Sequence, residues 1–296
     1  MIDAYRALGT ELAGDKIAVK HGEKAKGGFG MIITEYMCVS EEGLAAGLQA
    51  AWILGKRGHK VTVYEKEPVA GGQYRLAAVP TNKQDHAQII SACLEFCKKY
   101  GVEVRCGIQV TKERLEKEGF DEIILSTGSV PVIPRFIDMS QENIYTAQEV
   151  LSFEKMVHEK RVLVLGAGLV GVETAELLAE YGNDVTVVDM LYKAAPLAPK
   201  RPRQNLMEHL KALEIKLQLN SKVLSVNPDG IDLECDGVSS SLKGFDCIVP
   251  AFGSRSNTAL ADSLMGFPNV HLVGDARKAG DAKKAIYEAT QLALEL

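Results

Sequence analysis

The chain has 296 residues, 46% of them hydrophobic, with 34 basic and 39 acidic side chains and a formal charge of −5. That length holds two domains of ordinary size, and the acidic balance, with no basic patch, argues against a nucleic-acid-binding surface. No apolar run approaches the roughly 20 residues needed to span a bilayer, MIDAYRALGTELAGDK lacks the apolar core of a signal peptide, and six cysteines without a C-x-x-C pair point to a reducing, cytoplasmic setting.

In chain order, residues 1 to about 28 have no evident sheet to join, and a surface helix or a frayed end is expected there. MIITEYMCV (Met31 to Val39) is apolar enough for a buried strand. A helix opens at Ala46-Gly47, Gly58 turns it, and a strand through Val61, Thr62 and Val63 ends on Glu65. The stretch from Asp85 to Tyr100 has helical periodicity and places Cys93 and Cys97 on one face with Ile89 and Ile90. That spacing reads as two core thiols rather than a cluster site, which needs four ligands in tighter runs. Neither a redox disulfide nor a paired-histidine metal site is expected, and His59, in a turn, reads as a surface residue. A strand from Arg161 to Leu165 and a helical stretch from Arg203 to Leu213 follow; Phe245 to Pro250 reads as a strand, and Lys283 to Leu296 as a closing helix.

One pattern occurs twice. Sliding the chain by 124 positions superposes Gly47 on Gly171, Ala51 on Ala175, Leu54 on Leu178 and Gly58 on Gly182. The second copy carries Gly166, Gly168 and Gly171 in G-x-G-x-x-G spacing, with Leu169 and Val170 between the last two and Asp189 eighteen residues beyond Gly171. Each position has a physical reason. Gly166 permits the tight turn, Gly168 lets a pyrophosphate approach the backbone, and Gly171 lets helix and strand pack closely. The helix N-terminus presents free N–H groups and a positive dipole end to phosphate. Asp189 ends the next strand, where a carboxylate accepts from ribose hydroxyls and repels a 2′-phosphate, so NAD is expected over NADP. Lys193, Lys200 and Arg201 soften that preference. A glycine-rich turn in some other α/β protein is the plain alternative.

The first copy keeps Glu65 eighteen residues past Gly47, but Glu42 stands where the second has Gly166, and Leu44 where it has Gly168. Gly43 does not restore the spacing. A branched side chain blocks the backbone approach, and Glu41 and Glu42 bring negative charge to the dipole end that attracts phosphate. Together these are expected to weaken binding by about 3–5 kcal/mol, two to four decades of affinity. A structural βαβ unit with no ligand remains the open alternative for this copy.

The two copies, together with EKEPVAGGQ (Glu65 to Gln73), ILSTGSVPVIP (Ile124 to Pro134) and LVGDARKAGDAKKAIYEATQLA (Leu272 to Ala293), resemble the C-terminal half of the Old Yellow Enzyme-like NADH:flavin oxidoreductases, the group that includes 2,4-dienoyl-CoA reductase and enoate reductases. The resemblance runs from Gly47 onward. It implies an α/β chain of two Rossmann-like three-layer domains, with the NAD domain inserted in the FAD domain. In such enzymes Ala46, Gly47 and Glu65 face FAD, with Glu65 on the adenosine ribose. Gly72 and Gln73 lie along the flavin, Val110 by the adenine, Thr127 and Gly128 at the phosphates, and Gly274 and Asp275 at the ribityl and pyrophosphate. Gly166, Gly168, Leu169, Val170, Gly171, Asp189 and Gly253 fall to NAD.

DKIAVKHGEKAKGGFGMIITEYMCVS resembles a piece of the FMN-binding barrel that precedes these domains in full members, typically about 250 residues long. The implied division is a barrel remnant over 1–40, an FAD-type part over 41–134, an NAD(P)-binding domain over 135–250 and a second FAD-type part over 251–296. The former barrel strand is expected to take the place of the missing first Rossmann strand, beside Val61 to Tyr64. FMN and an iron–sulfur cluster are not expected here. The implied activity is hydride transfer from NADH to a weakened FAD site, and on to a small-molecule or protein acceptor. No catalytic acid or base is indicated, and the oligomeric state is open. The alternative is a non-catalytic NAD-binding remnant that has lost FAD.

Overall fold

The computed structural model describes residues 29–34, 45–80 and 83–296. The expected surface helix or frayed end before residue 29, the turn bearing Glu41, Glu42, Gly43 and Leu44, and Cys38 lie outside the described residues.

Strand β1 (Phe29–Thr34) leads to helix α1 (Ala45–Lys56), β2 (Lys60–Glu65), α2 (Ala87–Lys99), β3 (Glu103–Arg105) and β4 (Glu122–Ser126). A short strand β5 (Ser129–Pro131) then leaves this half of the molecule. The second half holds β6 (Arg161–Leu165), α3 (Leu169–Glu180), β7 (Asp184–Val188), α4 (Lys200–Ala212) and β8 (Lys216–Gln218). A meander of β9 (Ser221–Asn227), β10 (Gly230–Cys235) and β11 (Val238–Lys243) precedes β12 (Cys247–Pro250). The chain returns through β13 (Ser254–Ser256), β14 (Val270–Leu272) and α5 (Ala282–Glu295).

The first sheet is parallel, in the order β14-β4-β1-β2-β3. The strand that resembles barrel sequence is therefore its central member. Met31 to Thr34 pair with Thr62 to Glu65 on one edge and with Ile123 to Ser126 on the other. The strand begins two residues earlier than expected, and residues 35–39 lie outside the described residues. One face of the sheet packs on α1, α2 and α5, where Ala285, Ala289 and Ala293, four residues apart on one helix face, meet Ala46, Ala50 and Leu54. Small side chains let these helices approach closely. The other face covers Tyr64, Leu115, Leu125 and Leu264. Cys93 and Cys97 are buried in the helical layer, as expected of core thiols, and burial pushes both thiols up to about 12.

The second sheet, also parallel, has the order β12-β6-β7-β8. β6 and β7 are buried on both faces, which is why they read as unbroken apolar runs. α3 and α4 cover one face; Ile231, Leu233 and Phe245, from and beside the meander, cover the other. The two crossings between halves run side by side. β5 and β13 pair antiparallel, with Val130 opposite Arg255, and the Val132 N–H donates to Gly253 O at 2.9 Å. His59 is half-buried rather than at the surface, and burial lowers its pKa.

Candidate dinucleotide sites

The second-copy turn is built as its glycines require. Gly166 has φ +118°, and a Cβ there would meet Ala251 O at 2.3 Å. A Cβ on Gly171 would sit 2.0 Å from Gly166 O, so this pair sets the closeness of α3 to the turn. Gly168, with φ −62°, faces open space: nothing lies within 4 Å of where its Cβ would stand. That opening at a helix N-terminus is what a pyrophosphate needs. Asp189 follows β7, and its Oδ2 accepts from Ala167 N at 2.5 Å while its Oδ1 accepts from Leu191 N at 2.8 Å. The carboxylate is thus fixed beside the turn and half-exposed, with lone pairs left for hydroxyl donors. Val170 and Gly253, distant in sequence, line one shallow cleft together with Ala251 and Phe252. Leu169 packs partly against the core beneath.

The first-copy residues form two groups. Glu65 ends β2, is fully buried, and accepts from Glu67 N at 3.1 Å. Ala46 and Gly47 are buried in the first turn of α1. The Val110 side chain is buried with Tyr64 and Leu115, so any contact with a ligand would come through its backbone. The second group is a chain of contacts. Gln73 Nε2 donates to Ser129 O at 3.2 Å, and Ser129 Oγ donates to Asp275 Oδ2 at 2.9 Å. Asp275 Oδ1 also accepts from Gly280 N. Thr127 Oγ1 donates to Asn257 O at 2.8 Å, and Gly128 and Gly274 both adopt positive φ. Gly72, at φ +39°, opens the short helix Gly72–Ala77 that carries Gln73.

Ser129 and Asn257 were not foreseen. Ser129 directly follows Thr127-Gly128, and that adjacency was the available signal. One atom stands out: Gln73 Oε1 is buried without a hydrogen-bond partner in a residue only 1% exposed. An orphaned buried acceptor costs about 1–3 kcal/mol, so this group fits a bound donor.

An ion pair also joins the two halves. Lys83 Nζ lies 2.6 Å from Glu173 on α3. Glu176, one turn on, takes His209 Nδ1 of α4 at 2.9 Å. Burial raises the pKa of both carboxyls. Among the described residues all five cysteines are free, no group of three or more potential ligands gathers at a metal-sized site, and no helix is long and apolar enough to cross a membrane.

Two curated relatives are 33% identical to the chain: bilirubin reductase of Mediterraneibacter gnavus, over 83% of this chain and 38% of its own length, and cinnamate reductase of Clostridium sporogenes, over 85% and 38%. The chain thus spans about two-fifths of their length. Among solved structures, a 2-naphthoyl-CoA reductase complex superposes with a TM-score of 0.83 at 20% identity, over 91% of this chain and 40% of that one. The likeness shows the fold. The family of pyridine nucleotide-disulphide oxidoreductases matches residues 43–286; the chain belongs to it, and membership implies FAD and NAD(P)H as its cofactors.

Proposed function

We propose that the chain is the electron-input module of a flavin-dependent oxidoreductase, taking hydride from NADH and passing electrons to an external acceptor, a small molecule or a protein. The carrying observation is the intact turn: Gly168 open, Gly166 and Gly171 packed against backbone, and Asp189 fixed beside them. Asp189 favours NAD over NADP by repelling a 2′-phosphate. FAD, when bound, supplies the acceptor for the nicotinamide hydride. The chain's residues bind and orient: Glu65 accepts from ribose hydroxyls, Gly128 and Gly274 admit phosphate to the backbone, and Gln73 offers its orphaned Oε1 to a donor. FMN and an iron–sulfur cluster play no part in this proposal, and the setting is cytoplasmic. The names of the reductase relatives support the reaction class.

The experiment is a visible spectrum of the purified chain, before and after addition of FAD and desalting. A retained flavin band that NADH bleaches is the expected result. Glu42 and Leu44 favour a second reading, NAD binding without FAD. A colourless protein that still binds NADH, and becomes yellow on Glu42→Gly with Leu44→Gly, would establish it.

A further inference from the structure

One stretch of the first half reaches into the second. It begins at Gly72 and Gln73. Leu76, 6% exposed, then enters the core of the other half, in one cluster with Ala147, Val172 and Val249, and Val79 packs against the same cluster. The stretch ends at Lys83, whose ammonium meets Glu173 at 2.6 Å with side chains 22% and 7% exposed. Glu173 sits two residues beyond Gly171, on the first turn and a half of the helix that opens at Gly168. One short stretch therefore touches both candidate sites, with Gln73 at one end and the glycine-turn helix at the other.

We propose that residues 72–80 and Lys83 form a clasp that fixes the orientation of the NAD half against the FAD half, with Lys83 and Glu173 as its positioning residues. The inference rests on the reading that both sites bind their dinucleotides, since hydride transfer needs the reacting atoms about 3–3.5 Å apart. Apolar insertion by Leu76 and Val79 supplies adhesion without direction. The ion pair supplies direction, because breaking it would leave the buried Glu173 carboxyl without its cation. The ribbon of β5 and β13 joins the halves along one line only, and a joint of that kind needs a second attachment to stop rotation. The clasp is that attachment.

The test is hydrogen–deuterium exchange on the whole chain without added nucleotide, comparing the natural protein with Lys83→Met and Lys83→Arg. Lys83→Met is expected to speed exchange at least tenfold in peptides covering 76–80 and 169–176, and to leave the meander at 221–243 unchanged; Lys83→Arg is expected to restore protection. Unchanged exchange in those peptides would overturn the clasp. So would a rise spread over the meander as well, which would make Lys83 a general stabiliser. Should the chain carry flavin, Lys83→Met should lower the limiting rate of flavin reduction at least tenfold while the Kd for NADH stays within twofold. A chain without flavin defeats the proposed function, yet the exchange result still decides the clasp.

Discussion

Asp189 Oδ2 accepts the Ala167 N–H at 2.5 Å, so the acid that ends one strand also braces the turn that follows the strand beside it. The same carboxylate is the group offered to ribose. A hydrogen bond to a charged group contributes about 1.5–3 kcal/mol, so Asp189→Ala should weaken NAD binding by roughly 10–100-fold. Binding of NADP, which gains from losing the negative charge, should weaken less. Calorimetric titration of both nucleotides decides this; an equal loss for the two would remove Asp189 as the discriminating group.

Gly168 and Gly171 should separate binding from folding. An added methyl at Gly168 meets nothing, and the backbone there is ordinary, so Gly168→Ala should leave the melting temperature within about 1 °C and still reduce NADH affinity tenfold or more by blocking phosphate approach. Gly171→Ala places a carbon 2.0 Å from a backbone oxygen, and overpacking of that kind costs about 1–3 kcal/mol or more. It should melt several degrees lower. If Gly168→Ala binds NADH normally, the open space above it is not where the pyrophosphate lies.

Thiol chemistry should divide the cysteines. Burial pushes Cys93, Cys97 and Cys247 up to about 12, and Cys106 and Cys235 are half-exposed. At pH 8 a maleimide should label Cys106 and Cys235 in the folded protein and reach Cys93, Cys97 and Cys247 only after unfolding, as peptide mapping of these five would show. The sign of the linkage follows. These are acids whose folded pKa lies above the unfolded value of about 9, so the folded state holds protons that the unfolded state releases. Their contribution is intact below pH 9 and lost as pH rises toward about 12. Stability that is flat across this window would contradict the assignment.

Ser129→Ala should lower the unfolding free energy by about 1–3 kcal/mol, because it leaves a lone pair of the buried Asp275 carboxylate without its donor. Urea titration reads this directly. A change of a few tenths would mean that the Ser129 hydroxyl adds little to the hold on Asp275.

The strands and the intact turn were legible because their signals are local. Four buried residues before Gly166, glycines at fixed spacing and an acid at the end of the next strand all lie within 30 residues. The place of β1 was legible by a different route, through the gap left when the copies are superposed. What could not be read was contact at long separation. Lys83 and Glu173 stand 90 positions apart, and nothing in either neighbourhood marks them as partners. The meander carries weak alternation and exposed polar faces, so its strands were not foreseen. His59 was misplaced because a turn does not reveal which side chains settle over it.

The pairing of β5 with β13 means that the polypeptide leaves the first half and re-enters it side by side, about 5 Å apart, as opposed strands are. Everything from Val132 to Gly253 is threaded through one doorway. An insert exchanged through this doorway would leave the strands of the host sheet in place, but it would have to rebuild the seat for Leu76 and the carboxylate that meets Lys83.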